Sequence, residues 1–114
     1  MVSRIVDSKG LVVRGRQDGD TIDEHKLPFM HSAPSFPDLE SAVKHLKPTV
    51  LLGCSFTTEA PFKFTESVCR ALAENVERPI VFPLSPAEKE CSVKDLMQWT
   101  GLTSLYEFFW EIVF

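Results

Sequence analysis

The chain has 114 residues, room for one small domain and not two. Hydrophobic residues make up 44% and charged residues 25%, ordinary globular proportions that exclude a disordered or fibrous class. The formal net charge is -4, and the 12 Lys and Arg are scattered, with Arg14 and Arg16 as the densest pair, so nucleic acid is not an expected partner.

Cys54, Cys69 and Cys91 form no CxxC pair, and an odd number at wide spacing is a poor disulfide framework. Reduced, structural cysteines are expected, in the cytoplasm or a mitochondrial or plastid matrix. The start, Met1 to Asp7, has no apolar h-region and no Arg- and Ser-rich character, so secretion and a transit peptide are not expected. No run approaches the roughly 20 apolar residues of a membrane helix.

Arg4 to Asp7 reads as a strand, closed by the turn signal Ser8-Lys9-Gly10, and Leu11-Val12-Val13 can return as a hairpin arm. Residues 15–37 carry Gly15, Gly19, Pro28, Pro34 and Pro37 and read as a long loop. Asp38 is a candidate N-cap for a helix whose stripe is Leu39, Ala42, Val43 and Leu46, stopped by Pro48. Thr49 to Gly53 is a short apolar run, expected as a parallel strand buried on both faces. Thr65 caps a second helix with Phe64, Val68, Ala71 and Leu72 inward, and Ile80-Val81-Phe82 forms the next strand. Pro83 removes a ladder donor at the end of that strand. Ser92-x-x-Asp95 resembles a capping box opening a third helix with Leu96, Met97 and Trp99. This β/α alternation predicts a parallel sheet with helical crossovers.

In such sheets ligands sit beyond the carboxyl ends of the strands, which singles out Asp7, Gly53 and Ser85. An acidic residue ending a strand can bond the ribose hydroxyls of a dinucleotide, although an Asp there is also a plain turn former. Gly53 can admit close backbone approach by a cofactor or simply make a turn. His25, His31 and His45 have no ligand spacing, and His31 reads as structural. The acidic cluster Asp18, Asp20, Asp23 and Glu24 lacks calcium-loop spacing and reads as solvated loop. The cysteines read as small core residues rather than nucleophiles.

Six segments, in order, resemble the malic enzyme family. Val6 to Arg16 closely resembles the family's VDSKGLIVKGR, and Phe29 to Pro34 is similar to FxHSAP. Lys47 to Gly53 is similar to KPTxLIG, and Phe64-Thr65 to the FT that opens the next helix. Glu77 to Phe82 is similar to ERPIIF, and Glu90-Cys91-Ser92 to AEC(S/T). The segments span residues 5 to about 99. The family oxidatively decarboxylates malate to pyruvate and CO2 with NAD or NADP and a divalent metal. The resemblance implies an α/β fold, a partial Rossmann-like parallel sheet with alternating helices, without its first strand and Gly-rich loop. It implies that residues 1–100 form a partial NAD(P)-binding domain and that 101–114 are a divergent apolar tail. It also implies a dinucleotide partner, malic-enzyme subunits as a further possible partner, and cofactor contacts at Asp7, Ser8, Lys26, Gly53 and Ser55. Ser8 and Lys26 resemble NADP-preferring members, in which a lysine can pair with the 2′-phosphate. Outside the resemblance, Lys26 reads as a solvated loop lysine.

The departures are specific. The family's Gly-rich phosphate loop, catalytic Tyr and Lys and metal-binding carboxylates lie upstream of the VDSKG stretch and are absent from this chain. After Gly53, Cys54 to Lys63 replace the family's shorter glycine-rich turn. The SNPT turn is shortened to Leu84-Ser85-Pro86-Ala87, without its Asn. The tail Leu102 to Phe114 does not follow the family, but Tyr106, Phe109, Trp110 and Val113 define an apolar helical face. The isolated chain is therefore expected to have no catalytic residues and no metal site of its own. The alternatives are a non-catalytic interaction fragment and a truncated product without function.

Overall fold

The computed structural model describes residues 2–16, 23–54, 63–84 and 90–101. Strand β1 (Val6–Asp7) pairs antiparallel with β2 (Gly10–Leu11), in the register Val6 to Leu11 and Asp7 to Gly10. The expected hairpin forms, closed by Ser8 and Lys9. Gly10 has φ +99°, a region that disfavours any side chain, and a methyl group there would collide with the Phe36 carbonyl and lie 2.9 Å from the Pro37 Cα. The same approach lets the Leu11 amide donate to the Phe36 carbonyl at 2.8 Å.

The long segment after the hairpin is not irregular throughout. A 3-10 helix spans Glu24–Phe29, with Asp23 as its N-cap accepting from the His25 amide. Pro28 lies inside it, in a helix type too short to show a hydrophobic period. Val13 bridges His31 in parallel sense, and the His31 ring lies 3.1 Å from the Ser3 carbonyl, a structural role as expected.

Helix α1 (Leu39–Leu46) starts at Asp38, whose carboxylate accepts from the Ser41 amide at 2.7 Å. It ends at Lys47 in the left-handed region (φ 49°), immediately before Pro48. Strand β3 (Val50–Gly53) leads to α2 (Glu66–Asn75), capped by Thr65, and then to β4 (Ile80–Pro83). Helix α3 (Val93–Thr100) starts at Ser92, whose hydroxyl accepts from the Asp95 amide at 3.1 Å, and ends at Gly101 with φ +69°. All three expected caps satisfy an amide that the first helical turn leaves open.

Strands β3 and β4 are parallel, pairing Val50 to Ile80 through Gly53 to Pro83. The Ile80 amide donates to Thr49 and the Leu84 amide to Gly53. The ladder uses even-numbered donors of β4, so Pro83 lies where the missing N–H faces away from β3. The proline therefore costs this pair no hydrogen bond.

The first strand does not join that sheet. The two described sheets are separate, each of two strands. The hairpin backbone is already engaged, with Val12 donating to Ile5 and Arg14 to His31. The helices pack on one face of β3–β4, where Leu51, Val81, Val43, Phe64, Val68, Cys69, Ala71, Leu72, Cys91 and Leu96 form the core. The expectation that β3 is buried on both faces is corrected: Leu52 is 57% exposed and Val50 39% exposed. A strand buried on both sides needs two covering layers, and only one is described. Cys54 likewise departs from a core role, being exposed, while Cys69 and Cys91 are buried. Ser55, Ser85 and residues 102–114 lie outside the described residues.

Gly10→Ala is expected to destabilise the fold by more than about 1 kcal/mol, read as a lower urea midpoint, because backbone atoms rather than a flexible side chain occupy the space.

Candidate nucleotide-binding site

The hairpin turn gathers three charged side chains, Asp7, Arg16 and Lys26. Asp7 ends β1, and Ser8 and Lys9 turn exposed beside it. The Lys9 amide donates to Asp7 Oδ1 at 3.0 Å, a local Asx contact that fixes the carboxylate. Arg16, brought back by the hairpin, donates from Nη1 to Oδ1 at 2.9 Å and from Nη2 to Oδ2 at 3.0 Å. This is the planar fork-to-fork pairing that a lysine cannot make. Lys26 Nζ, on the 3-10 helix, donates to Oδ2 at 2.8 Å. The side chain of Arg16 is 7% exposed and that of Lys26 34% exposed. Arg16 is thus a buried clamp and Lys26 a reachable cation.

Burial alone would raise the Asp7 pKa. The hydrogen bonds from Arg16, Lys26 and the Lys9 amide outweigh it and hold the carboxyl at about 2, below the ordinary 3.8. With Asp7 ionised, the three side chains carry one net positive charge.

Of the residues singled out by sequence, Asp7, Ser8 and Lys26 are brought to one place. Gly53 is elsewhere, buried at the end of β3. A Cβ on Gly53 would meet Glu90 Cγ at 2.6 Å and Oε1 at 2.9 Å, so the glycine makes room for a buried glutamate. The Glu90 carbonyl also accepts from the Phe64 amide at 2.9 Å, tying the start of α2 to the approach to α3. Sequence reasoning assigned no role to Arg16 or Glu90. The hairpin signal at Ser8-Lys9-Gly10 was the available clue for Arg16, since a tight turn returns the following residues to Asp7.

Among the described residues, no group of three His, Cys, Asp or Glu could hold a metal ion, so the divalent metal of the family has no fitting donor set there. Burial raises the Cys69 thiol to about 11, which keeps it protonated and unreactive. No helix among the described residues is long and apolar enough to cross a membrane.

A parallel strand pair layered by helices is a partial Rossmann-like unit. Residues 3–107 match the family described as malic enzyme, NAD binding domain. The chain belongs to that family. It is 40% identical over 105 residues to a malolactic enzyme of Leuconostoc mesenteroides, covering 85% of this chain and 18% of the relative. It is 39% identical over 98 residues to an NADP-dependent malic enzyme of Vitis vinifera, covering 84% and 16%. An NADP-dependent malic enzyme of Rattus norvegicus is 40% identical over 98 residues, with the same coverage. The chain thus spans less than a fifth of the length of these relatives.

The Asp7 pairing sets an acid dependence. Because its folded pKa lies below the ordinary value, its stabilising contribution is complete above 3.8 and is lost as pH falls toward 2. The loss is expected to be about 1–2 kcal/mol after allowance for solvent screening. Urea melts between pH 5 and pH 2 measure it, and Asp7→Asn should be less stable at pH 5 and lose less stability across that window.

Proposed function

We propose that this chain is the adenosine-holding part of a malic enzyme's dinucleotide-binding domain, and that it takes NADP in preference to NAD. The observation that carries the reading is the contact of Arg16 and Lys26 with one carboxylate beside Ser8. An unpaired Asp7 would favour ribose hydroxyls and repel a 2′-phosphate. Here Arg16 neutralises it, and Lys26 remains as a surplus, partly exposed cation. Ser8, exposed on the turn, can donate its hydroxyl to the same phosphate. On this reading Asp7 faces the adenosine ribose, and Gly53 and Ser55 are further cofactor contacts.

When bound, the cofactor accepts the hydride removed from malate C2. The chain's own residues bind and orient the adenosine end and supply no acid or base to the reaction. The isolated chain is therefore expected to form no pyruvate from malate, and the activity belongs to a longer malic enzyme or to an assembly with its subunits.

Isothermal titration of the purified chain with NADP and NAD tests the cofactor assignment. Lys26→Ala is expected to weaken NADP about tenfold or more, the scale of one charge-assisted hydrogen bond, with little change for NAD. Equal affinity for both nucleotides before and after the substitution would refute it.

A further inference from the structure

A carboxylate has about four acceptor positions, two on each oxygen, and at Asp7 the fold fills them all. Oδ1 accepts from the Lys9 amide at 3.0 Å and from Arg16 Nη1 at 2.9 Å. Oδ2 accepts from Arg16 Nη2 at 3.0 Å and from Lys26 Nζ at 2.8 Å. An acidic residue at a strand end reads NAD by accepting from ribose hydroxyls, which requires open acceptor positions. Asp7 offers none in this arrangement.

Three of these four donors are not free to step aside. The Lys9 amide is part of the backbone of the hairpin turn. The two donors of Arg16 sit on one planar group, so neither leaves without tilting the other. Nη1 also donates to the Gly10 carbonyl at 3.3 Å, and the Arg16 side chain is only 7% exposed. Lys26 is the exchangeable donor, with a single contact to Asp7 at the end of a flexible, partly exposed stem. A ribose hydroxyl can enter only by displacing Lys26, and it then reaches one oxygen and not both. A 2′-phosphate makes the opposite demand. It is an acceptor itself, needs no lone pair from Asp7 and is met by the ammonium.

If the hairpin turn is where the adenosine ribose docks, as proposed, we infer that Arg16 is the positioning residue that sets the choice of nucleotide. It occupies Asp7 so that the carboxylate neither reads ribose hydroxyls nor repels a 2′-phosphate. Arg16 does this without touching the nucleotide. Lys26 supplies affinity for the phosphate, and Arg16 supplies discrimination against the plain ribose. Selectivity is the difference of the two affinities, so both residues enter it.

A merely structural arginine would weaken both nucleotides when replaced, whereas a discriminating one moves them in opposite directions. Isothermal titration of the intact chain with NADP and NAD at neutral pH reads the sign. Arg16→Gln is expected to tighten NAD about fivefold or more, the scale of a hydrogen bond to a charged group, and to weaken NADP by a similar factor. Adding Asp7→Asn removes the charge, and should cancel the NAD gain and recover most of the NADP affinity. Arg16→Lys keeps the charge without the fork. It should tighten NAD with a smaller loss of NADP, and it carries the test should Arg16→Gln not melt cooperatively. Weakening of both nucleotides alike, or unchanged NAD affinity, in the Arg16 variants overturns the inference. The NADP reading then still stands where Lys26→Ala weakens NADP alone. A cooperatively melting wild-type chain that binds neither nucleotide overturns both.

Discussion

Two parallel strands do not stand alone in water, and the rest of this molecule depends on the layer of helices that buries one side of them. Leu51 and Val81 are register partners in β3 and β4, and both face the helices. Leu72 and Cys69 of α2 are fully buried there, and Leu96 of α3 nearly so. Each fully buried leucine contributes about 1.5–3 kcal/mol from burial alone, so the α2 and α3 leucines outweigh any surface ion pair in the chain. Helix α2 is the hinge of this arrangement, since it packs against α1 on one flank and α3 on the other.

The charged site is not part of that core, yet it is fastened to it. The Leu11 amide donates to the Phe36 carbonyl, and the Phe36 ring lies 4.6 Å from the His45 ring of α1. Two residues after Phe36, Asp38 caps the same helix. The hairpin therefore rides on α1, and α1 rides on α2. Gly10 is where this chain of contacts is tightest, because only a residue without a side chain lets the hairpin approach Phe36 and Pro37. The position of the Asp7 carboxylate is thus set by backbone packing as well as by its ion pairs.

The helices were legible because each began at a side-chain cap directly ahead of an apolar stripe: Asp38 before Leu39, Thr65 before Val68, Ser92 before Leu96. Local rules suffice for such elements. The hairpin was legible from Ser8-Lys9-Gly10 for the same reason. What failed was non-local. The sequence of β3 suits burial on both sides, but whether a second layer exists is decided by other residues, and Leu52 is left exposed. The 3-10 helix Glu24–Phe29 carries no hydrophobic period and holds a proline. For the candidate site, Asp7 was singled out by its place at a strand end and Lys26 through the family resemblance, whereas the pairing of Arg16 with Asp7 needs the three-dimensional return of the hairpin. The closeness of Gly53 to Glu90 is a contact across 37 positions that no local pattern encodes.

Under the proposed NADP reading, the Asp7 cluster would let an acidic residue stand beside a phosphorylated ribose. The carboxylate and a 2′-phosphate repel at close range unless a cation lies between them. Arg16 is poorly placed for a second anion, because both of its terminal nitrogens donate to Asp7, Nη1 also donates to the Gly10 carbonyl, and its side chain is buried. Lys26 is better placed. Its ammonium has three donors and touches Asp7 through a single 2.8 Å contact while a third of its side chain meets solvent. It can keep that contact and still donate outward. The division of labour follows from geometry: a planar fork fixes the carboxylate, and a flexible point charge remains to meet the ligand. Exchanging the two residue types would reverse both properties, leaving Asp7 loosely held and the outward cation rigid.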